Sequence, residues 1–335
     1  MQAAIYGMAG FSLTDDERGF FRESMPAGFI LFKRNCDSQD QLLALTDSLR
    51  DLTGRSDLPI LIDQEGGRVA RMKPPGWPAF PPAGDFATLY RAAPSTAIEA
   101  VRANARALAL MLRSAGVNVD ALPLLDVRQE GASDIIGDRA LGSEPMQVAA
   151  LGQAVLDGLA SAGVVGIVKH MPGHGRALVD SHKELPIVTA SAEDLEIDLE
   201  PFERLASAPM GMTAHVVYEV WDPVMPASMS GKVIGEIIRD RIGFDGFLMS
   251  DDLGMEALSG DFASRGAGVV AAGNDAALHC SGKMDEMIAV AGAVPPLSAQ
   301  GHARLERAMA LTKLQFDDVD FAEAIATRDS LLAQV

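Results

Sequence analysis

The sequence predicts an α/β protein with a (β/α)8-type barrel, either regular or with an irregular repeat. Apolar runs of strand length alternate with amphipathic stretches of helix length through most of the 335 residues, as in repeated strand–helix units. The strand candidates are almost continuously apolar, which is typical of a parallel sheet covered by helices. Polar residues follow nearly all of them. A closed barrel gathers polar groups from many strands at one face, whereas an open sheet gathers them at one crevice, so we favour the barrel over a doubly wound sheet.

The elements follow one another in the order that a barrel requires. The strand candidates are Gly28 to Phe32, Pro59 to Asp63, Val117 to Val119, Val164 to Lys169, Met210 to His215, Gly246 to Ser250 and Asp275 to Leu278. The helix candidates are Gln39 to Leu52, Ala97 to Ala115, Pro145 to Ala162, Ala192 to Ala206, Lys232 to Ile242, Asp261 to Ala272, Lys283 to Ala293 and Ser298 to Phe316. No linker divides the chain, so we expect residues 1–335 to form a single domain.

Composition limits the classes of function. The formal net charge of −18 disfavours binding to nucleic acid or to anionic membrane surfaces. No apolar segment approaches the roughly 18 residues of a membrane span, and the first residues lack the pattern of a secretory signal. Two distant cysteines, Cys36 and Cys280, suggest reduced thiols and a cytoplasmic location.

The segment from Lys169 to His182 follows a strand candidate and is rich in titratable groups. It reads Lys169-His170-Met171-Pro172-Gly173-His174-Gly175 and, a little later, Asp180-Ser181-His182. A carboxylate that orients an imidazole allows it to give and retrieve a proton near neutral pH, so Asp180 and His182 form a candidate acid/base pair. The alternatives are a zinc site, whose usual histidine spacing is missing here, and a purely structural role for the histidines.

The sequence Asp63-Gln64-Glu65-Gly66-Gly67-Arg68 also follows a strand candidate. The two glycines allow a sharp turn and the close approach of a ligand. Asp63 can accept hydrogen bonds from two neighbouring hydroxyls and Arg71 can donate several. The alternative is a capped turn with a surface ion pair.

A third candidate, Ser250-Asp251-Asp252-Leu253-Gly254-Met255, follows the strand candidate that ends at Ser250. An aspartate here faces the barrel mouth, where its carboxylate can attack a carbon electrophile. One of the two aspartates could instead cap the next helix. Arg139, within a glycine-containing loop, and His215, at a strand end, could reach the same mouth, but a salt bridge and a buried structural histidine are equally compatible with the sequence.

Together, these motifs resemble glycoside hydrolase family 3, in its single-domain bacterial β-N-acetylglucosaminidase type. The resemblance spans about Gly7 to Ser281 and also includes Gly28-Phe29-Ile30-Leu31-Phe32-Lys33-Arg34-Asn35. Met171 is a departure, because an aromatic residue is usual before the Pro-Gly-His-Gly stretch.

The resemblance implies a TIM-like (β/α)8 barrel and a role for each candidate. Asp251 matches the catalytic nucleophile, His182 the general acid/base and Asp180 its partner. The sugar-binding positions are matched by Asp63, Arg71, Arg139, Lys169 and His170. The implied reaction is retaining hydrolysis of terminal β-linked N-acetylglucosamine from muropeptide fragments during cell-wall recycling. No metal or other cofactor is expected, nor an obligate protein partner. Phosphorolysis, a metal-dependent hydrolase and a non-catalytic sugar-binding protein remain alternatives.

Overall fold

The computed structural model describes residues 1–129, 131, 136–179, 181, 184–314 and 320–334. Within these ranges, eight parallel strands close into a barrel, which confirms the predicted fold class. The barrel strands are β1 (Gln2–Tyr6), β2 (Pro26–Leu31), β3 (Ile60–Ile62), β4 (Val119–Asp120), β5 (Val165–Met171), β7 (Met210–Thr213), β9 (Phe247–Asp252) and β10 (Ala276–His279). They lie around the barrel in that order, and β10 pairs with β1 to close it. Outside the barrel, β6 (Ile187–Val188) pairs with β8 (Val217–Tyr218).

Helices surround the barrel on its outside. The α-helices are α1 (Asp15–Ser24), α2 (Gln39–Thr53), α3 (Ala83–Ala92), α4 (Pro94–Ser114), α5 (Pro145–Ala160), α6 (Glu196–Arg204), α7 (Phe262–Ala271), α8 (Met284–Ala293), α9 (Ala299–Met309) and α10 (Phe321–Leu332). A π-helix, Val233–Arg241, occupies the position of the predicted helix from Lys232 to Ile242. None of the described helices has the length and hydropathy needed to span a bilayer.

The sequence patterns missed the first barrel strand. β1 has the sequence Gln-Ala-Ala-Ile-Tyr, and alanine is a poor strand former. Its pairing with both β2 and β10 therefore decides its conformation. Helices α1, α3 and α10 were missed as well. For α1 a signal was present: Thr14 and Glu17 form a reciprocal capping box, in which each side chain accepts a hydrogen bond from the other residue's backbone amide.

The barrel topology brings the predicted polar strand ends to one rim. Because all barrel strands are parallel, their carboxyl ends meet at the same face. Asp63 follows β3, Lys169 and His170 are near the end of β5, and Asp251 is near the end of β9. Residues from distant parts of the sequence thus lie around a single opening.

Candidate active site

A cavity of about 240 Å³ opens at the carboxyl ends of the barrel strands. Its polar lining consists of Asp63, Glu65, Arg68, Arg71, Arg139, Lys169, His170, His174, Ser181, Asp251 and Asp252. A larger cavity of about 1140 Å³ lies between α1 and α8, near the amino ends of β1 and β2. Its described lining contains no lysine, arginine or histidine side chain. The smaller cavity is the candidate active site, because barrel enzymes work at the carboxyl ends of their strands.

An ion-pair cluster forms one wall of this cavity. Lys169 Nζ lies 3.1 Å from Asp63 Oδ1 and 2.7 Å from Glu65 Oε1. Arg71 Nη2 donates to Asp63 Oδ2 at 3.0 Å. Arg139 donates to both oxygens of Glu65, at 2.7 Å and 2.8 Å, which is the bidentate geometry of a strong guanidinium–carboxylate pair. The five side chains hold one another in a fixed arrangement.

The charges of this cluster are mutually stabilised. Burial alone would raise the pKa of the Asp63 carboxyl, but Lys169 and Arg71 outweigh burial and hold that pKa well below its usual range. Burial is likewise outweighed at Glu65, whose pKa is lowered by Lys169 and Arg139. Burial would lower the pKa of Lys169, but the two carboxylates raise it instead. All of these groups are therefore charged at neutral pH.

Another buried carboxylate, that of Asp126, contacts both His170, near the end of β5, and His174, in the loop after it. Its Oδ2 lies 2.7 Å from His170 Nδ1, and its Oδ1 accepts from the backbone amide of His174 at 2.6 Å. Because a carboxylate only accepts, Nδ1 of His170 carries the proton in this contact. Burial and the neighbouring His170 lower the pKa of His174 to about 4, so that ring is neutral at pH 7.

Hydrogen bonds to other parts of the structure hold several of the described residues in the loop after β5. Tyr218 Oη donates to the Gly173 carbonyl at 2.6 Å, and Arg176 Nε donates to Asp198 Oδ2 at the same distance. Ser181 is buried, with its Oγ 3.2 Å from His174 Nε2, and its carbonyl accepts from the Ala257 amide at 3.2 Å. Asp180 and His182, the predicted acid/base pair, lie outside the described residues.

At the end of β9 the two aspartates have different surroundings. Asp252 Oδ1 accepts from the amides of Gly254 and Cys280, at 3.0 Å and 3.1 Å, so it fixes the turn. The Asp252 amide in turn donates to Asp251 Oδ1 at 2.8 Å, and the Asp251 side chain lines the cavity. Neither residue caps the next helix; that role belongs to Asp261, which accepts from the Ser264 amide.

His215 has a structural position. It is fully buried, and its Nε2 lies 3.0 Å from the Asp252 carbonyl. Since a carbonyl only accepts, Nε2 carries the proton, and Nδ1 accepts from Ser228 Oγ at 2.6 Å. His215 thus supports the backbone next to Asp251 and is not among the residues that line the cavity.

Most of the predicted site residues come together in the structure. Asp63, Arg71, Arg139, Lys169, His170 and Asp251 all line the cavity. Arg139 does not form an exposed salt bridge, because its side chain is only 11% exposed and its partner Glu65 is buried.

Sequence reasoning assigned no role to Glu65, Asp126 or His174. Glu65 could have been found, because residues two positions apart on an extended chain face the same side, and Asp63 had already been placed toward the ligand. Asp126 belongs to none of the motifs described above, and nothing in the sequence connects it to His170 and His174.

The donor atoms of the cavity are arranged for charge pairing. No group of three or more His, Cys, Asp or Glu side chains in the described ranges is placed to hold a metal ion. His170 is already hydrogen-bonded to Asp126. Asp63 is already hydrogen-bonded to Lys169 and Arg71. The described residues therefore offer pairs of opposite charge rather than a set of metal ligands.

A family model described as "Glycosyl hydrolase family 3 N terminal domain" matches residues 7–310. The chain belongs to glycosyl hydrolase family 3. Among curated family 3 relatives, the beta-hexosaminidase of Alkalilimnicola ehrlichii is 40% identical over 83% of this chain and 80% of its own length. The beta-hexosaminidase of Bordetella avium is 37% identical over 82% and 79%, respectively.

Solved structures of family 3 have the same fold. NagZ from Neisseria gonorrhoeae, crystallised in complex with N-trifluoroacetyl-D-glucosamine, superimposes with a TM-score of 0.86 at 30% sequence identity. The match covers 99% of this chain and 97% of the Neisseria chain. The barrel described above is therefore the barrel of glycosyl hydrolase family 3.

Proposed function

We propose that this protein is a retaining exo-β-N-acetylglucosaminidase that removes terminal β-linked N-acetylglucosamine from peptidoglycan-derived muropeptide fragments. The observation that carries the proposal is the position of Asp251 in the same cavity as the Asp63, Glu65 and Lys169 cluster. Further support comes from two relatives named beta-hexosaminidase and from the Neisseria protein that binds an N-acylated glucosamine.

The cluster is suited to hold a sugar ring through its hydroxyl groups. Asp63 can accept hydrogen bonds from neighbouring hydroxyls, and Lys169 and Arg71 can donate to them. His170 has its Nδ1 fixed by Asp126, which leaves Nε2 for the ligand. Arg139 completes the wall. Since these groups are already paired with each other, they need little rearrangement when the ligand binds.

The reaction then proceeds in two steps. In the first step His182, oriented by Asp180, gives its proton to the departing glycosidic oxygen while Asp251 attacks the anomeric carbon. In the second step neutral His182 takes a proton from water, which displaces Asp251 from the sugar. Two inversions give net retention of configuration.

Phosphorolysis is the second candidate, because phosphate could replace water in the second step. The described cations of the cavity are each paired with a carboxylate: Arg68 with Asp138, Arg71 and Lys169 with Asp63, and Arg139 with Glu65. This pairing disfavours a dianion such as phosphate and favours water. Assays in phosphate buffer distinguish the two, since only phosphorolysis yields a sugar 1-phosphate.

Metal-dependent hydrolysis is the third candidate. The charge pairing of the cavity side chains speaks against it, and full activity after exhaustive chelation would remove it. We further propose that the protein acts in the cytoplasm during cell-wall recycling. Cys36 and Cys280, both free thiols, suit a reducing compartment, and fractionation of the source cells tests the location.

The decisive experiment identifies both the substrate and the nucleophile. A panel of aryl β-glycosides with and without the 2-acetamido group should show turnover only for those that carry it. A fluorinated slow substrate should then accumulate as a covalent adduct, and digestion followed by mass spectrometry should find the label on Asp251. A label on another residue would refute the assigned mechanism, whereas no turnover of any acetamido glycoside would refute the proposed substrate.

A further inference from the structure

Gln64 lies between two residues of the ion-pair cluster but does not line the cavity. Side chains alternate along an extended chain, so Asp63 and Glu65 face the ligand and Gln64 faces the other way. It is 1% exposed. None of the proposed chemical steps uses it.

Among the described residues, the hydrogen bonds of its carboxamide all go to a single short stretch of chain. Gln64 Oε1 accepts from the amides of Arg71 and Met72, at 2.8 Å and 3.0 Å. Gln64 Nε2 donates to the Met72 carbonyl at 2.9 Å. The side chain thus pairs with the backbone of the residue that carries the guanidinium group and with the residue after it.

The loop between Gln64 and Arg71 has to reverse direction for this contact. Gly66 and Gly67 have φ values of +95° and +54°, which a side chain would strain. The amides of Glu65 and Gly66 both donate to the Val69 carbonyl, at 2.9 Å and 3.2 Å. The reversal returns Arg71 to Asp63, where Nη2 lies 3.0 Å from Oδ2.

The backbone of Gln64 is itself fixed from the barrel interior. Its amide donates to Oδ1 of Asp120 at 3.0 Å. Asp120 is the last residue of β4 and is fully buried. A continuous chain of contacts therefore runs from β4 through Gln64 to Arg71.

We infer that Gln64 is a positioning residue for substrate binding, which acts by holding Arg71 against Asp63. The inference rests on the proposed function, because it assigns Arg71 to the sugar site. A carboxamide suits this position because it accepts and donates at once. Glutamate would keep the two accepted hydrogen bonds but would set a carboxylate oxygen against the Met72 carbonyl.

A double-mutant cycle separates positioning from general stability. We expect Q64A to lower kcat/KM for an aryl N-acetyl-β-glucosaminide on the order of tenfold to a hundredfold, as small displacements in a site do, mainly through KM. The kcat/KM of Q64E should lie between the values for Q64A and the wild type. In an R71A background, Q64A should lower kcat/KM by less than about twofold, since the side chain that Gln64 positions is already absent.

Gln2 provides a matched control at the opposite end of the barrel. Its side chain also makes three hydrogen bonds, to the carbonyls of Ala291 and Val294 and from the Tyr6 hydroxyl. Q2A should lower the melting temperature but leave KM within about twofold of the wild type. Equal KM changes in Q2A and Q64A, or additive effects of Q64A and R71A, would overturn the inference. An inactive wild type would instead count against the proposed function, and the same cycle could then be run on N-acetylglucosamine binding.

Discussion

Lys169 and Glu65 form an ion pair inside the barrel, with Nζ 2.7 Å from Oε1 and side chains that are 2% and 4% exposed. Arg139 binds the same carboxylate from the other side. Removing one partner of such a pair leaves an uncompensated charge in a poorly solvated place. We therefore expect substitutions in this cluster to affect both stability and the proposed sugar binding.

We expect E65Q to lower the free energy of unfolding by about 3 kcal/mol, because Lys169 and Arg139 lose their shared counter-charge. Chemical denaturation at pH 7 measures this. The control is D57N, which breaks the exposed pair between Asp57 and Lys313 and should cost less than about 1 kcal/mol. Similar losses in the two variants would contradict the assigned burial of the cluster.

Two buried aspartates, Asp120 and Asp126, should differ strongly in their sensitivity to replacement by asparagine. Burial raises the pKa of Asp120 well above its usual range and so favours the uncharged carboxyl group, and D120N keeps an acceptor for the Gln64 amide. We expect kcat/KM within about threefold of the wild type and a change in stability below about 1 kcal/mol.

Asp126 is the counterpart for this test. Burial would raise its pKa, but His170 lowers it below the usual range and keeps the group ionised. D126N removes that charge and turns the contact with His170 Nδ1 into a neutral one. We expect a loss of kcat/KM of at least about tenfold. An equal loss of kcat/KM in D120N and D126N would contradict the different roles assigned to the two aspartates.

The stability of the protein should depend on pH through His174. Its pKa in the folded state is about 4, against the ordinary 6.5, because it is buried. Between these values the unfolded chain binds more protons than the folded one, so stability falls as the pH is lowered from about 7 to 4. The contribution is about 3 kcal/mol, and H174Q should lack it in denaturation curves recorded across this range.

Asp198 should contribute in the opposite direction. Burial outweighs its pairing with Arg176 and raises its pKa to about 6. A carboxyl group with a raised pKa adds stability that is complete below the unfolded value near 4 and disappears as the pH rises through about 6. The D198N variant should therefore lose stability with falling pH more steeply than the wild type. A slope unchanged from the wild type would show that Asp198 does not titrate in this range.

Catalytic variants should distinguish the nucleophile from the proton donor. D251A should abolish turnover of all substrates, because no covalent adduct can form. H182A should slow natural substrates much more than aryl glycosides with good leaving groups, which need little protonation. Steady-state rates on both substrate kinds provide the measurement, and equal losses on both would exclude His182 as the proton donor.

The barrel could be predicted because its strands are apolar and its polar residues lie at their carboxyl ends. Strand β1 was not predicted, because its alanines do not indicate a strand. Its extended conformation depends on pairing with its two neighbours, β2 and β10. The placement of Asp63, Lys169 and Asp251 at one rim followed from parallel topology alone.

The partners of these residues could not be predicted in the same way. Arg139 and Glu65 are 74 positions apart, and Lys169 and Asp63 are 106 apart. Only the closure of the barrel brings them together. The role of Gln64 depends on the reversal of the loop after it, which two glycines suggest but do not specify.

The charge pairing in the cavity should determine how the site responds to ionic strength. The pairs join Arg71, Lys169 and Arg139 to Asp63 and Glu65. Salt ions weaken attraction mainly between exposed, unbalanced charges. In the proposed binding wall, three cations are held against two carboxylates, so little net charge is left, and we expect it to attract an uncharged sugar mainly through directed contacts at short range. Recognition at this wall should therefore be almost insensitive to ionic strength, although the protein surface as a whole is strongly acidic.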